Sequence, residues 1–285
     1  MANLKEIRSR ISSVSSTMKI TSAMKMVSAA KLKKSQDQLL NIKPYTKGLA
    51  TITNNLLPNI NLRDVKLTSS FTNSNKTLLV AITSNRGLCG AFNANVFKKA
   101  KEYSGELEVL CVGKKGKELF KRNNYNIIQS EVEILSNINF ADSKEISHKI
   151  ISDFYNGRWS KVIVLYNKFK NAGTQLVLSR QVLPIILDET KNNLDMNSSD
   201  YIFEPDKMQI INSLMPTVVH TTIFEAILNS AASEHGARMT AMHKATDNAN
   251  ELKQTLTLTY NRQRQAAITN EILEIVAGAE ALKEV

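Results

Sequence analysis

Tryptophan occurs once, at Trp159, and aromatic residues together make up only 6% of the chain. Large rings supply much of the burial in sheet-on-sheet cores, so this scarcity favours helix packed against helix. Cysteine is almost as rare. Cys89 and Cys111 form no CxxC pair, which excludes a disulfide framework and a zinc ribbon and points to a reduced, cytosolic setting. No run approaches the 18 or more apolar residues of a membrane span, and a soluble chain is expected. The opening MANLKEIRSR lacks the apolar core of a signal peptide. The four histidines, His148, His220, His235 and His243, contain no i, i+4 pair of the kind that holds zinc, and helical surface positions are expected for them.

Glycine-rich catalytic signatures are also missing. Gly113-Lys-Lys-Gly116 has two residues between its glycines where a phosphate loop has four, and it reads as a strand-to-helix turn. Arg86-Gly-Leu-Cys-Gly90 is neither a dinucleotide fingerprint nor a nucleophile elbow. Cys89 has no histidine within fifty residues on either side to act as its base. No catalytic residue, metal ligand or cofactor site is expected.

What the chain does contain is helical periodicity at both ends. After Pro216 there is no proline, and the only glycines are Gly236 and Gly278. Ala249, Leu252, Leu256 and Thr259, then Ile268, Ile272, Ile275, Ala279 and Leu282, recur at steps of three and four. An unbroken helix from about Thr217 to Val285 would be roughly 100 Å long, too long for a compact domain to bury. The segment 226–249 is dense in alanine, serine and glycine, a composition suited to close approach of a neighbour. At the other end, Leu4, Ile7, Ile11, Val14, Met18 and Thr21 form a heptad seam. Over 20–30 apolar residues spread round most of the helix, which predicts enclosure on several sides, in the chain's own domain or in a partner. Pro44 is expected to kink or end this helix, with Pro58 beyond any continuation.

The middle of the chain changes character. Thr77–Thr83, Leu107–Val112, Lys161–Tyr166 and Thr174–Ser179 read as strands, with helices at about 93–103, 114–123 and 142–156. Such alternation predicts a largely parallel sheet, with an added edge pair after Val177. Residues 188–204 read as a polar loop, and Pro205 and Asp206 suit the first turn of the next helix. The fold class is therefore α+β. A long antiparallel coiled coil of the terminal helices (1–58 and 206–285) brackets an inserted Rossmann-like α/β domain (75–190).

The net charge of +11 is unevenly spread. Residues 1–47 hold ten lysines and arginines against Glu6 and Asp37, so the N-terminal helix is the element that faces acidic partners. A basic coiled-coil nucleic-acid-binding protein is the alternative function. Against it, the basic residues are interleaved with the heptad seam, and no aromatic platforms accompany them.

Four segments resemble a known family. They are Ile7–Val14 with Lys19–Lys31, then Ser84-Asn-Arg-Gly-Leu-Cys-Gly-Ala-Phe-Asn93, Ser233–Asn248, and Ile268-Thr-Asn-Glu-Ile-Leu-Glu-Ile-Val-Ala-Gly-Ala-Glu280. In that order they are similar to the gamma-subunit family of F-type ATP synthases. The resemblance implies a non-catalytic central rotor shaft, one copy per complex, that carries torque between a membrane ring of c subunits and a hexamer of alpha and beta subunits. It implies an epsilon subunit beside the α/β domain, no nucleic acid, and a peripheral position on the cytoplasmic side of a bacterial inner membrane. No transit peptide precedes Met1, which favours a bacterial chain. The residues it assigns to the hexamer contact are Met24, Lys25, Arg238, Arg264 and Gln265. To a hydrophobic tip it assigns Ile20, Val27, Ile268, Ile272, Ile275 and Leu282. Gly236 stands where many relatives have alanine, at a cost of up to about 1 kcal/mol in helix propensity.

Overall fold

The computed structural model describes residues 4–56, 65, 67–68, 74–186 and 204–281. Pro58, most of the 188–204 loop and Leu282 lie outside them. The order is α1 (Leu4–Leu56), β1 (Thr77–Ile82), α2 (Phe92–Ala100), β2 (Leu107–Val112), α3 (Lys114–Arg122), β3 (Asn126–Glu131), α4 (Phe140–Tyr155), β4 (Lys161–Phe169), β5 (Gln175–Leu183) and α5 (Lys207–Ala281). The chain divides into two compact units, one of residues 1–27 with 239–285 and one of 28–238.

The larger unit is built on a five-stranded sheet in the order β3-β2-β1-β4-β5. Its first three pairings are parallel, and β5 joins β4 antiparallel as a single edge strand rather than the expected pair. Alternate residues feed two cores, as the period of two requires. Leu78, Val80 and Ile82 of β1 enter a large core with α4 and α5. Leu79 and Ala81 enter a smaller one containing residues of α2 and α3. Both faces of β1 and β4 are thereby covered, which is why those strands read as continuous apolar runs. β3 was not anticipated. Its sequence NIIQSE is short and half polar, and its residues are only partly buried at the sheet edge.

Neither helix stops at its proline. α5 starts at Lys207, where Asp206 Oδ1 accepts from Gln209 N at 2.8 Å, and passes through Pro216. A proline inside a helix costs about 3 kcal/mol. On either side of it, Ile211, Met215, Val219 and Ile223 are all buried in the large core. Each such side chain contributes about 1.5–3 kcal/mol on full burial, so the four together outweigh the lost rung. α1 likewise continues through Pro44, which sits exposed, opposite its buried ridge. In this unit that ridge is Ser28, Leu32, Ser35, Leu39, Ile42, Thr46, Leu49, Thr53 and Leu56, all buried or half-buried.

In the smaller unit the two chain ends pair. Thr246 Oγ1 donates to Thr21 Oγ1 at 2.8 Å, and Lys25 Nζ lies 3.4 Å from His243 Nδ1. Moving outward on one helix therefore means moving inward in sequence on the other, an antiparallel pair. On α1 the seam is Leu4, Ile7, Ile11, Val14, Met18, Thr21 and Lys25. On α5 it is Met242, Thr246, Ala249, Lys253, Leu256, Tyr260, Gln263 and Ala267, each at least half-buried and again at steps of four and three. Leu252 and Thr259, expected on that seam from their apolar or small character, are exposed instead.

Candidate functional site

In an open parallel sheet, ligands bind beyond the carboxyl ends of the strands where the strand order reverses. Here that place lies between β1 and β4. The start of α3, at the end of the neighbouring β2, would offer a second phosphate seat only if its N–H groups were free. Those groups are already used: Lys114 N donates to Asn85 Oδ1 at 3.1 Å, Lys115 N to Ser84 O at 2.9 Å and Gly116 N to Thr83 Oγ1 at 3.0 Å. The two glycines of the 113–116 turn permit this closeness. Gly113 has φ +110°, and a Cβ on it would stand 2.6 Å from Thr83 O. A Cβ on Gly116 would collide with the Thr83 side chain.

The end of β4 is covered by the small-residue segment of α5. Asn167 N donates to Ser230 Oγ at 3.2 Å, Ser233 Oγ donates to Asn167 O at 3.0 Å, and Phe169 N donates to Asn229 Oδ1 at 3.4 Å. A Cβ on Gly236 would stand 3.2 Å from Ala172 Cα. The neighbour that the small residues admit is thus this domain's own sheet, and Gly236 serves that approach.

Two residues further on, Arg238 reaches the loop after β1. Its Nε donates to Gly87 O at 3.2 Å and one Nη to Arg86 O at 2.9 Å, while the same Nη pairs with Glu234 Oε1 at 2.8 Å. The arginine is only 7% exposed. Of the residues expected to meet a hexamer, it is the one the fold turns inward. Glu234 was not singled out from the sequence, because a lone acid on a helix carries no sign of its burial. Burial pushes the Glu234 carboxyl above the ordinary range, against the pull of Arg238, Lys31 and Arg86. Burial pushes the neighbouring His235 down to about 4, with Arg238 and Lys31 acting in the same direction.

The remaining reactive groups are enclosed. Burial raises both thiols, Cys111 to about 12. Cys89 is held by Ser84 and Asn93, with Asn93 Nδ2 3.4 Å from its sulfur. His220, expected at the surface, is buried and shares a hydrogen bond with the Ser147 hydroxyl; burial lowers its pKa. A groove of about 290 Å³ beside β3 and α4 is lined by Glu131, Glu133, Asp142, Glu145 and Lys149. No cluster arranged to hold a metal ion occurs among the described residues.

In the smaller unit, Met24 is half-buried, and Lys25 meets a His243 whose Nδ1 is also 3.3 Å from Asp247 Oδ2. Arg264 and Gln265 are exposed. The Thr21–Thr246 pairing places Leu4 opposite about residue 263, because antiparallel partners advance one for one. Beyond that point α5 has no described partner, and Ile268, Ile272, Leu273, Ile275 and Val276 are all exposed. Ile20 and Val27, at 61% and 57% exposure, are not part of that cluster. Ile20 pairs near residue 247, some 21 residues and roughly 30 Å of helix from Ile268.

The family model described as ATP synthase matches residues 3–282. The ATP synthase gamma chain of Flavobacterium psychrophilum is 50% identical over 99% of this chain and 100% of its own length. That of Chlorobium phaeobacteroides is 41% identical over 99% of each. Among solved structures, a chain of the central stalk and c-ring of the Tetrahymena thermophila mitochondrial ATP synthase matches with a TM-score of 0.62 and 29% identity. It covers 79% of this chain and 99% of that one. A chain of the OSCP, F1 and c-ring assembly of the Euglena gracilis mitochondrial ATP synthase, in rotational state 3, has a TM-score of 0.69 over 98% and 94%. Its 20% identity makes that a likeness of fold.

Proposed function

The chain belongs to the ATP synthase gamma-chain family, and from that premise we propose that it is the torque shaft of that complex. It is a subunit of a membrane-associated assembly and carries no chemistry of its own. The observation that carries the reading is the antiparallel pairing of the two chain ends, from which the last turns of α5 continue with their apolar face bare.

In the finer reading, segments 1–58 and 206–285 form the shaft and 75–190 its foot. The foot stands with an epsilon subunit on a ring of c subunits, at the cytoplasmic face of a bacterial inner membrane. One copy serves each hexamer of alpha and beta subunits, and the whole complex couples ion flow to ATP synthesis or hydrolysis. Ile268, Ile272 and Ile275, with Leu282, make the tip, held in an apolar sleeve. A contact without directional bonds lets the tip turn with little resistance. Ile20 and Val27 form a second apolar band lower down. Met24, Lys25, Arg264 and Gln265 meet the hexamer, and Arg238 contributes near the foot.

Torque follows from asymmetry. Two unlike helices show three equivalent catalytic subunits three different faces. Each face shifts a subunit's open–closed equilibrium by no more than its differential contact energy. Cationic residues of α1 and Arg264 supply that difference against acidic surfaces. The test is co-purification from detergent-solubilised membranes. A tagged chain should bring down alpha, beta, epsilon and c subunits together, and recovery without them contradicts the reading.

A further inference from the structure

The loop 84–90 ought to be loose. It contains Gly87 and Gly90, the latter at φ +59°, and Leu88 also adopts the left-handed region at φ +63°. A segment so rich in glycine and left-handed residues has much conformational freedom to lose. The fold instead holds it from within. Ser84 Oγ donates to Arg86 O at 2.7 Å, and Ser84 N donates to Asn93 Oδ1 at 2.9 Å. The guanidinium of Arg238 then takes the two successive carbonyls of Arg86 and Gly87, while Glu234 balances its charge. A planar fork of fixed donors can hold two adjacent carbonyls at once; a lysine ammonium cannot do so with the same definition. What the clamp leaves outside is Arg86 and Leu88, both exposed, Leu88 at 61%.

We propose that Arg238 is a positioning residue: it acts on coupling through the 84–90 loop, which it fixes to α5, and not by touching a partner subunit. The proposal rests on the shaft reading, since it is as part of a working rotor that a fixed outward loop has an effect.

Cys89 reports on the loop. It is buried at the loop's inner side, 2% exposed, and Cys111 in the middle of the sheet is an internal reference at 0%. Purified ATP synthase carrying Arg238→Gln, Arg238→Lys or Glu234→Gln is treated with N-ethylmaleimide. Alkylation of the two cysteines is followed by peptide mass spectrometry, and ATP-driven proton pumping is measured on the same membranes. Arg238→Gln should raise the Cys89 rate at least tenfold with Cys111 unchanged, and should lower the protons pumped per ATP. Arg238→Lys should lie between it and the wild type on both readouts, which also decides the matter if the glutamine variant does not assemble. Glu234→Gln keeps the fork and should change the Cys89 rate less than threefold. Pumping that falls while Cys89 stays protected would assign Arg238 a direct partner contact and overturn the proposal. An opened loop with normal pumping also overturns it, as does a loop opened by Glu234→Gln. Failure of the shaft reading shows separately, as absence of the chain from the purified complex, whereas Cys89 reactivity is read from the chain itself.

Discussion

His235 is neutral because it is half-buried beside Arg238 and Lys31, and its folded pKa of about 4 lies below the ordinary histidine value of 6.5. A depressed histidine contributes stability above pH 6.5 that is lost as pH falls toward 4, because the unfolded chain takes up the proton first. At 1.36 kcal/mol per pKa unit, the loss is on the order of 3 kcal/mol. Glu234, shifted upward, acts in the opposite sense: its contribution is present at low pH and lost as pH rises through its folded pKa. Urea unfolding of the purified chain between pH 4 and 7 reads the sum of the two, and His235→Gln should remove the part that weakens toward acid. An unchanged slope would mean the histidine is solvated. Arg264 is the contrasting case. It is exposed, so Arg264→Ala should alter the chain's own stability by less than about 0.5 kcal/mol. The same substitution should lower coupled ATPase activity in the reconstituted complex, and an unchanged rate there contradicts the assigned contact. Arg264 is proposed on its motif, and the structure adds that it is exposed. The burial of Glu234, His220 and Arg238 could not be read from the sequence, since it depends on which element each helix turn happens to face.

Helices and strands were legible where one physical signal dominated. β1 and β4 are apolar along their length because both faces are covered, whereas β3 is half polar at an edge and left no pattern to read. Proline informed at Pro205, just before α5, and misled at Pro44, where an end or kink was expected and α1 runs on. At Pro44 and Pro216 a local cost was overridden by side chains a turn away, which no local rule weighs. The seams show the same limit. Lys25, Ser28, Thr53, Lys253 and Tyr260 occupy heptad positions that a search for apolar residues passes over, while Leu252 stands outside. Ala249 lies on the α5 seam and is 9% exposed, with no core side chain a turn away comparable to those flanking Pro216. Ala249→Pro should therefore cost about 3 kcal/mol or more. Inverted membrane vesicles carrying it should hydrolyse ATP while pumping poorly, and normal pumping would show that the pair tolerates a break there.

For the whole molecule, the excess of +8 in residues 1–47, ten basic against two acidic, gives strong but unspecific attraction to anions. Filter retention of DNA should fade between about 50 and 200 mM salt and be equal for all sequences, as counterion release predicts. Sequence-dependent retention would revive the nucleic-acid alternative. α5 is also long and apolar enough to cross a membrane by length and composition, but 44% of the stretch that qualifies is buried in the chain. Length and composition alone therefore do not make it a membrane span. The lock between the end of β1 and the start of α3 has a consequence of its own. Thr83, Ser84 and Asn85 already take up the three amides that open that helix. An anion could claim those amides only by prising the two segments apart.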